Sequence, residues 1–119
     1  MSRSTIEFFL HIKDELDYLE KESKNLTFND FEQNETLKRA FSRSLEIIGE
    51  ATKSIPDDIR LTYPEIEWRA MAGMRDKLIH HYFGIDYELV WDIIENKVEE
   101  MNFQINRIIE LEKIINPIK

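Results

Sequence analysis

The chain has 119 residues, of which 42% are hydrophobic, so it can bury one core but is too short for two. It contains no cysteine, which excludes disulfides, thiolate zinc sites and a cysteine nucleophile. The formal net charge of −8 argues against a protein that coats nucleic acid, although it is compatible with an enzyme that contacts RNA briefly.

The first two predicted elements are amphipathic helices. Ser4 or Thr5 can cap the first helix, and Thr27 or Asn29 begins the second. Both helices show apolar residues at three- and four-residue steps, which is the period of one buried helix face. These residues are Phe9, Ile12, Leu16 and Leu19 in the first helix and Leu37, Phe41, Leu45, Ile48 and Ile55 in the second.

Two further helices are predicted in the second half of the chain. Pro64 suits the first turn of the third helix, because its missing N–H would have no partner there. That helix is predicted to run through Tyr82 and to stop at Gly84, which can adopt left-handed backbone angles. Asp86 then caps a long fourth helix, which Pro117 ends. The apolar stripes are Trp68, Met71, Met74 and Leu78 in the third helix and Val90, Ile94, Val98, Met101, Ile105, Ile108 and Ile115 in the fourth.

The pattern predicts an all-α fold. No segment alternates with the two-residue period of a strand, and only 3 glycines and 3 prolines are present for turns. We therefore expect a single helical domain over residues 1–119, an antiparallel bundle of four main helices with room for short helices between them. No apolar run approaches the roughly 20 residues of a membrane span, and charges come too early for a signal peptide, so we expect a cytoplasmic protein.

Charge is unevenly distributed along the chain. Residues 86–112 carry eight acids and two bases, a net charge of −6, whereas residues 38–53 carry four bases and two acids, a net charge of +2. A polyanion is therefore expected to approach the second helix rather than the fourth. The four bases of the second helix are Lys38, Arg39, Arg43 and Lys53.

Residues that can carry chemistry are concentrated between Gly73 and Asp86. No Glu-x-x-His pair, H-E-x-x-H motif or glycine-rich phosphate loop occurs, so we predict neither a metal site nor a cofactor. On an ideal helix Asp76 and His80 share one face, and the carboxylate can orient the imidazole. Arg75 and His80 lie roughly 140° apart on such a helix, so they converge only through the reach of the arginine, a distorted last turn or a second copy across a two-fold axis.

Spacing alone leaves a simpler interpretation open. Charged residues four apart on a helix are commonly solvated pairs with no chemical role. Gly73, which costs about 1 kcal/mol relative to alanine inside a helix, is explained most simply by a close approach of two helices.

The segment R-D-K-L-I-H-H-Y matches the R-x4-H-x-Y signature of HepT-like proteins, a bacterial and archaeal branch of the HEPN domain. The similarity extends beyond the signature and covers nearly the whole chain. The matching segments are Tyr63–Trp68 and Ala72–Arg75 before the site, His80–Asp86 with Val90 and Trp91 after it, and Leu45–Ala51 in the second helix.

The resemblance implies a helical bundle that dimerises around the motif, and the activity of a metal-independent endoribonuclease toxin. Arg75 and His80 would be the catalytic pair, and Asp76 a supporting residue where the family more often has asparagine. Tyr82 would be the tyrosine that the antitoxin adenylylates, whereas His81 fills a variable position and has no catalytic role. The implied partners are an RNA substrate, a second copy of the chain and a cognate minimal nucleotidyltransferase antitoxin, often called MntA.

The signature residues suit RNA cleavage, because RNA supplies its own nucleophile, the 2′-hydroxyl. His80 can take that proton or protonate the leaving 5′-oxygen. Arg75 can hold the phosphate and offset the charge of the transition state. The expected products are a 2′,3′-cyclic phosphate and a 5′-hydroxyl. The alternative function is that of a non-catalytic subunit that presents substrate to a nucleotidyltransferase, but such bundles often lack the signature.

Glu46 and Glu50 lie four residues apart on the second helix. Ordinary surface acids are the simpler interpretation. The other interpretation is that they brace Arg75 or Arg69 across the bundle, in the way that supporting residues hold a site.

Overall fold

The computed structural model describes residues 1–80 and 84–115, without the side chains of His80, Ile114 and Ile115. The described part of the chain contains eight helices and one pair of short strands. The helices are α1 (Arg3–Ser23), α2 (Phe28–Glu32), α3 (Glu35–Lys53), α4 (Asp57–Thr62), α5 (Trp68–Ala72), α6 (Met74–Leu78), α7 (Tyr87–Asn96) and α8 (Val98–Ile115). The strands are β1 (Ile79–His80) and β2 (Gly84–Ile85), which pair antiparallel.

The predicted all-α bundle is confirmed, because α1 packs against both α3 and α8 and the α5–α6 segment packs against α3. The apolar stripes of the sequence meet in one hydrophobic core, in which most of the predicted side chains are buried. The largest fully buried side chains include Phe9, Leu16, Phe41, Leu45, Ile48, Leu78 and Ile105. Burial of these faces is the main force that holds the helices together.

Local polar contacts set the starts of the first helices. Ser2, rather than Ser4 or Thr5, caps α1 by accepting from the Thr5 N–H at 3.1 Å. Thr27 caps α2 as predicted, in a capping box with Asp30. The second predicted element then divides, because the side chain of Asn34 begins a new helix, α3.

The start and the middle of the predicted third helix differ from expectation. Pro64 does not lie in the first turn of a helix but in a turn that precedes α5, so that prediction was wrong. The helix is also divided at Gly73, whose φ of −86° and ψ of 5° separate α5 from α6. A Cβ at Gly73 would meet the Arg69 carbonyl oxygen of its own preceding turn at 3.2 Å, so the expected helix–helix approach does not occur there.

The third helix also ends earlier than predicted, at Leu78. Ile79 has extended backbone angles (φ −93°, ψ 118°), and its strand pairs with Ile85 while His80 pairs with Gly84. Gly84 has the predicted left-handed backbone, with φ of 77°, but it serves this strand pair and does not cap a helix. The predicted continuation of the helix through Tyr82 is therefore wrong at residues 79 and 80, and Tyr82 itself lies outside the described residues.

The fourth predicted helix begins as expected, since the Asp86 side chain accepts from the Leu89 N–H at 3.1 Å. It is not continuous, however. Lys97 has backbone angles of φ −124° and ψ −32°, which interrupt the helix and separate α7 from α8. Pro117, the predicted end, lies outside the described residues. Within residues 1–80 and 84–115, no helix is both long enough and apolar enough to cross a membrane.

Candidate functional site

The site is built where α3 lies directly against the α5–α6 segment, and Gly49 makes this contact possible. A Cβ at Gly49 would lie 3.3 Å from the Met71 carbonyl oxygen and 3.5 Å from the backbone nitrogen of Arg75. Because a hydrogen takes the place of that Cβ, the backbones of the two elements touch. The contact fixes the position of the Arg75 backbone relative to α3, and it is the close helix approach that was expected at Gly73.

Arg75 is held from the side of α3 by the residue that follows this glycine. Its Nη1 atom lies 3.7 Å from Oε1 of Glu50, and each side chain is about half exposed, at 50% and 49%. The contact agrees with the second interpretation of Glu50, that it braces Arg75, whereas Glu46 pairs with Arg43 on its own helix at 3.3 Å. A single-nitrogen contact leaves the other donors of the guanidinium available for a phosphate.

Helix α6 points Arg75 outward because its other face is anchored in the core. Met74 and Leu78 are buried, with 5% and 1% of their surfaces exposed. Arg75, Asp76 and Lys77 are consequently exposed on the outer face. No ion pair or hydrogen bond of the Asp76 side chain is present within the described part of the chain, so the structure gives this residue no defined partner there.

His80 follows Arg75 by five residues but does not lie on the same helix. Because α6 ends at Leu78, the prediction that Asp76 and His80 share one face of a helix is wrong, whereas the pairing of their side chains stays a prediction. The 140° separation of Arg75 and His80 around one helix does not apply either. The helix geometry therefore gives no argument for a second copy of the chain at the site. The side chain of His80, and the whole of His81 and Tyr82, lie outside the described residues.

The sequence predicts four basic residues on the second helix that a polyanion can reach, but one of them, Lys38, is buried in the structure. Lys38 is 8% exposed and lies 3.7 Å from Glu32 and 3.5 Å from Glu35. Its Nζ atom also stands 4.4 Å from the centre of the Tyr87 ring. Lys38 is thus not available to a polyanion, while Arg39, Arg43 and Lys53 are exposed.

A buried polar contact supports the entry to α5 and was not predicted from the sequence. The Tyr63 hydroxyl donates to Glu112 of α8 at 2.6 Å, and both residues are buried. Burial, followed by the hydrogen bond to Glu112, raises the pKa of Tyr63 to about 12. The Tyr63 carbonyl in turn accepts from the Trp68 indole at 2.9 Å, which fixes the first residue of α5. No signal in the sequence links positions 49 residues apart.

On the other side of α6, a groove of about 290 Å³ opens between α5–α6 and α7–α8. Its walls include the apolar side chains of Met71, Met74 and Met101. Acidic residues outnumber basic ones at its rim, which suits RNA poorly. The rim residues are Glu65, Glu67, Asp92, Glu100, Lys77 and Lys97.

Within residues 1–80 and 84–115, no group of three or more histidine, aspartate or glutamate side chains is arranged to hold a metal ion. The absence of a metal from the reaction stays a prediction.

Comparison with known proteins gives a consistent set of relatives. A family model described as "Ribonuclease HepT-like" matches residues 12–108. The chain is 44% identical over 103 residues to a Caldanaerobacter subterraneus subsp. tengcongensis protein named "Putative RNase", covering 87% of this chain and 92% of that protein. It is 40% identical over 101 residues to the "Probable ribonuclease HepT" of Thermococcus cleftensis, covering 85% and 92%. No solved structure matches the chain.

Proposed function

Because the chain belongs to the HepT-like ribonuclease family, we propose that it is a metal-independent RNA endonuclease in which Arg75 and His80 are the catalytic residues. The observation that carries the proposal is the placement of Arg75. It stands exposed on α6 beside Glu50 and five residues before His80, in a chain whose family model is named for a ribonuclease. The reaction would take place in the cytoplasm, where cellular RNA is made and translated.

The reaction uses the 2′-hydroxyl of the RNA as nucleophile. Its oxygen bonds to the adjacent phosphorus while the bond from phosphorus to the 5′-oxygen breaks. One proton leaves the 2′-oxygen and one is delivered to the 5′-oxygen, so the products are a 2′,3′-cyclic phosphate and a 5′-hydroxyl. His80 moves one of these protons, because an imidazole titrates near neutral pH. Arg75 binds the phosphate and offsets the negative charge that develops on it.

Glu50 supports the reaction through Arg75 without touching the substrate. The contact to Nη1 favours positions of the guanidinium beside Glu50, and half of the Arg75 side chain stays open to solvent. A guanidinium that is oriented before the phosphate arrives loses less conformational freedom on binding. Asp76, exposed one residue further along, would support the site by orienting the imidazole of His80.

A dimer would supply both proton-transfer groups. A single histidine can act either as the base or as the acid at a given moment. Two copies of His80 across a two-fold axis provide a base and an acid together. We propose this arrangement from the family resemblance, since the helix geometry no longer requires it.

The chain would act as the toxin of a toxin–antitoxin pair with an MntA-type minimal nucleotidyltransferase antitoxin. Tyr82 stands two residues after His80, so an AMP on its hydroxyl would bring a negative phosphodiester and a base close to the site. The charge would compete with the RNA phosphate for Arg75, and the base would block access.

Cleavage of a defined RNA by the purified protein, with His80→Ala and His81→Ala alongside, tests the activity. Wild type and His81→Ala are expected to give 2′,3′-cyclic phosphate ends in the presence of EDTA, and His80→Ala is expected to give none. Cleavage that EDTA abolishes and magnesium restores would contradict the metal-independent mechanism. Equal activity of His80→Ala and wild type would contradict the assignment of the histidine.

A further inference from the structure

The outer face of α3 carries a single row of charged side chains. The members follow one another at steps of four, three, four and three residues, so they share one face of the helix. We call this row the α3 stripe, and it consists of Arg39, Arg43, Glu46, Glu50 and Lys53. Arg39 and Arg43 are exposed, with 61% of the Arg43 side chain open to solvent.

The α3 stripe runs alongside the candidate site. At one end, Glu50 contacts Arg75. Twelve residues towards the start of α3, Lys38 contacts the ring of Tyr87. Both the α5–α6 segment, which carries Arg75, and α7, which carries Tyr87, pack against α3. Arg39 and Arg43 lie on α3 between the levels of these two contacts.

The spacing of the two arginines suits an extended RNA strand. Four residues of an α-helix span about 6 Å along its axis, so Arg39 and Arg43 can reach neighbouring phosphates of one strand. Arg43 lies about 10 Å along the axis from Glu50, and hence about one or two nucleotides from a phosphate at Arg75. Residues 86–112, which carry a net charge of −6, suit RNA poorly.

The pair of Arg43 with Glu46 does not prevent phosphate binding. The two residues are three apart on the helix surface, and the contact is 3.3 Å. An exposed pair of this kind contributes at most about 1 kcal/mol, and a phosphate with bidentate geometry can displace or share the arginine. Arg39 has no ion pair in the described part of the chain.

We propose that Arg39 and Arg43 form a phosphate-binding subsite that holds the RNA strand to one side of the cleaved bond. The inference rests on the proposed ribonuclease function and adds to it a preference for RNA longer than a dinucleotide. Substrates that reach the α3 stripe gain affinity from it, and a dinucleotide that fills only the Arg75 position does not.

The test compares the double variant Arg39→Gln/Arg43→Gln with the matched variant Arg3→Gln/Arg107→Gln. The control removes the same two charges from exposed positions on α1 and α8, and Arg3 is paired within its helix much as Arg43 is. We expect the double variant to raise the KM for a 12-nucleotide RNA about tenfold, and to raise the ratio of the 12-mer KM to the dinucleotide KM. The control should leave both KM values unchanged.

Binding of a fluorescent 12-mer to the same variants in a His80→Ala background separates this inference from the proposed function. The slope of log K against log salt concentration should fall by about 1.4 in the double variant, since each single-strand phosphate contact contributes about 0.7. If the double variant and the control bind the 12-mer equally, the subsite does not exist, whether or not the wild type cleaves RNA. If binding differs as expected but the wild type does not cleave, the subsite stands and the catalytic proposal is wrong.

Discussion

Glu50 and Arg75, 25 residues apart in the chain, form an ion pair of 3.7 Å between two elements whose backbones touch at Gly49. The two contacts have different roles. The glycine determines how near α6 comes to α3, and the carboxylate favours a position of the guanidinium beside α3. Both side chains are half exposed, so the pair contributes little to the free energy of unfolding, and its main effect is on orientation.

We expect Glu50→Gln to lower kcat for RNA cleavage about tenfold, because Arg75 loses the charge that orients it. KM should stay equal or fall, since a negative charge near the RNA is removed. Glu46→Gln is the control, because Glu46 has the same side chain on the same face but pairs with Arg43. Kinetics and thermal melting together test the prediction, and a loss of stability that accompanies the loss of kcat would indicate a structural role instead.

Arg75→Ala should abolish RNA cleavage to below about 1% of wild type, while the helical circular dichroism signal and Tm remain close to wild type. The side chain is half exposed and packs no core, so its removal should cost little stability. Lys77→Ala removes an exposed positive charge from the same short helix and should retain most of the activity. Equal losses in both variants would show that α6 contributes only general positive charge.

Gly49→Ala tests the contact between α3 and the α5–α6 segment. Alanine favours a helix by about 1 kcal/mol over glycine, but its Cβ would lie 3.3 Å from the Met71 carbonyl oxygen. Since the obstacle is backbone, α5 must shift, and strain of about 1–3 kcal/mol should outweigh the gain. Urea unfolding should therefore show a net destabilisation of about 1 kcal/mol, with a loss of kcat. Thr36→Ala, at an exposed position of the same helix, should not destabilise the protein, and a stabilised Gly49→Ala would contradict the prediction.

The sequence predicts those structural features that depend on residues close together in the chain, and it fails for features that depend on distant residues. The stripe from Phe9 to Leu19 and the cap at Asp86 are local patterns, and the structure confirms both. The end of α6 at Leu78 is not local, because it depends on the pairing of Ile79 with Ile85 after the chain turns back. A helical period that continues past Leu78 in the sequence gives no sign of this return.

The candidate site shows the same limit. The sequence groups Arg75, His80 and Tyr82 in one signature, and it leaves open whether Glu50 braces the arginine or is an ordinary surface acid. It misplaces the close helix approach at Gly73, because only the three-dimensional structure shows that Gly49 faces the backbone of Arg75. It also counts Lys38 as available, because periodicity does not reveal the glutamates and the aromatic ring around its ammonium group.

Co-expression with the nucleotidyltransferase partner tests the proposed regulation at Tyr82. Mass spectrometry of the co-expressed protein is expected to show AMP on the peptide that contains this residue. Tyr82→Phe should still cleave RNA, because the phenolic oxygen is not among the proposed catalytic groups, but it should no longer be neutralised. Tyr87→Phe is the control. A Tyr82→Phe protein that is still adenylylated and silenced would place the modification elsewhere.

Tyr63 makes the free energy of unfolding decrease as the pH rises in the alkaline range. Its pKa is raised from 10.0 to about 12, first by burial and then by the hydrogen bond to Glu112. The folded state therefore favours the protonated phenol, so this contribution to stability is complete below pH 10 and is lost as the pH rises from 10 to about 12. This contribution to the free energy of unfolding is about 2–3 kcal/mol, because the pKa rises from 10.0 to about 12.

The substitution Tyr63→Phe separates this contribution from the other groups that titrate in alkali. At pH 7 the variant should be less stable by about 1–2 kcal/mol, because a buried hydrogen bond to a carboxylate is lost. Between pH 10 and 12 wild type should lose more stability than Tyr63→Phe, so the difference between the two proteins narrows or reverses. Urea unfolding at pH 7, 9 and 11 measures this difference. A difference that stays constant up to pH 11 would show that Tyr63 is not shifted, and that its bond to Glu112 is weaker than the distance of 2.6 Å indicates.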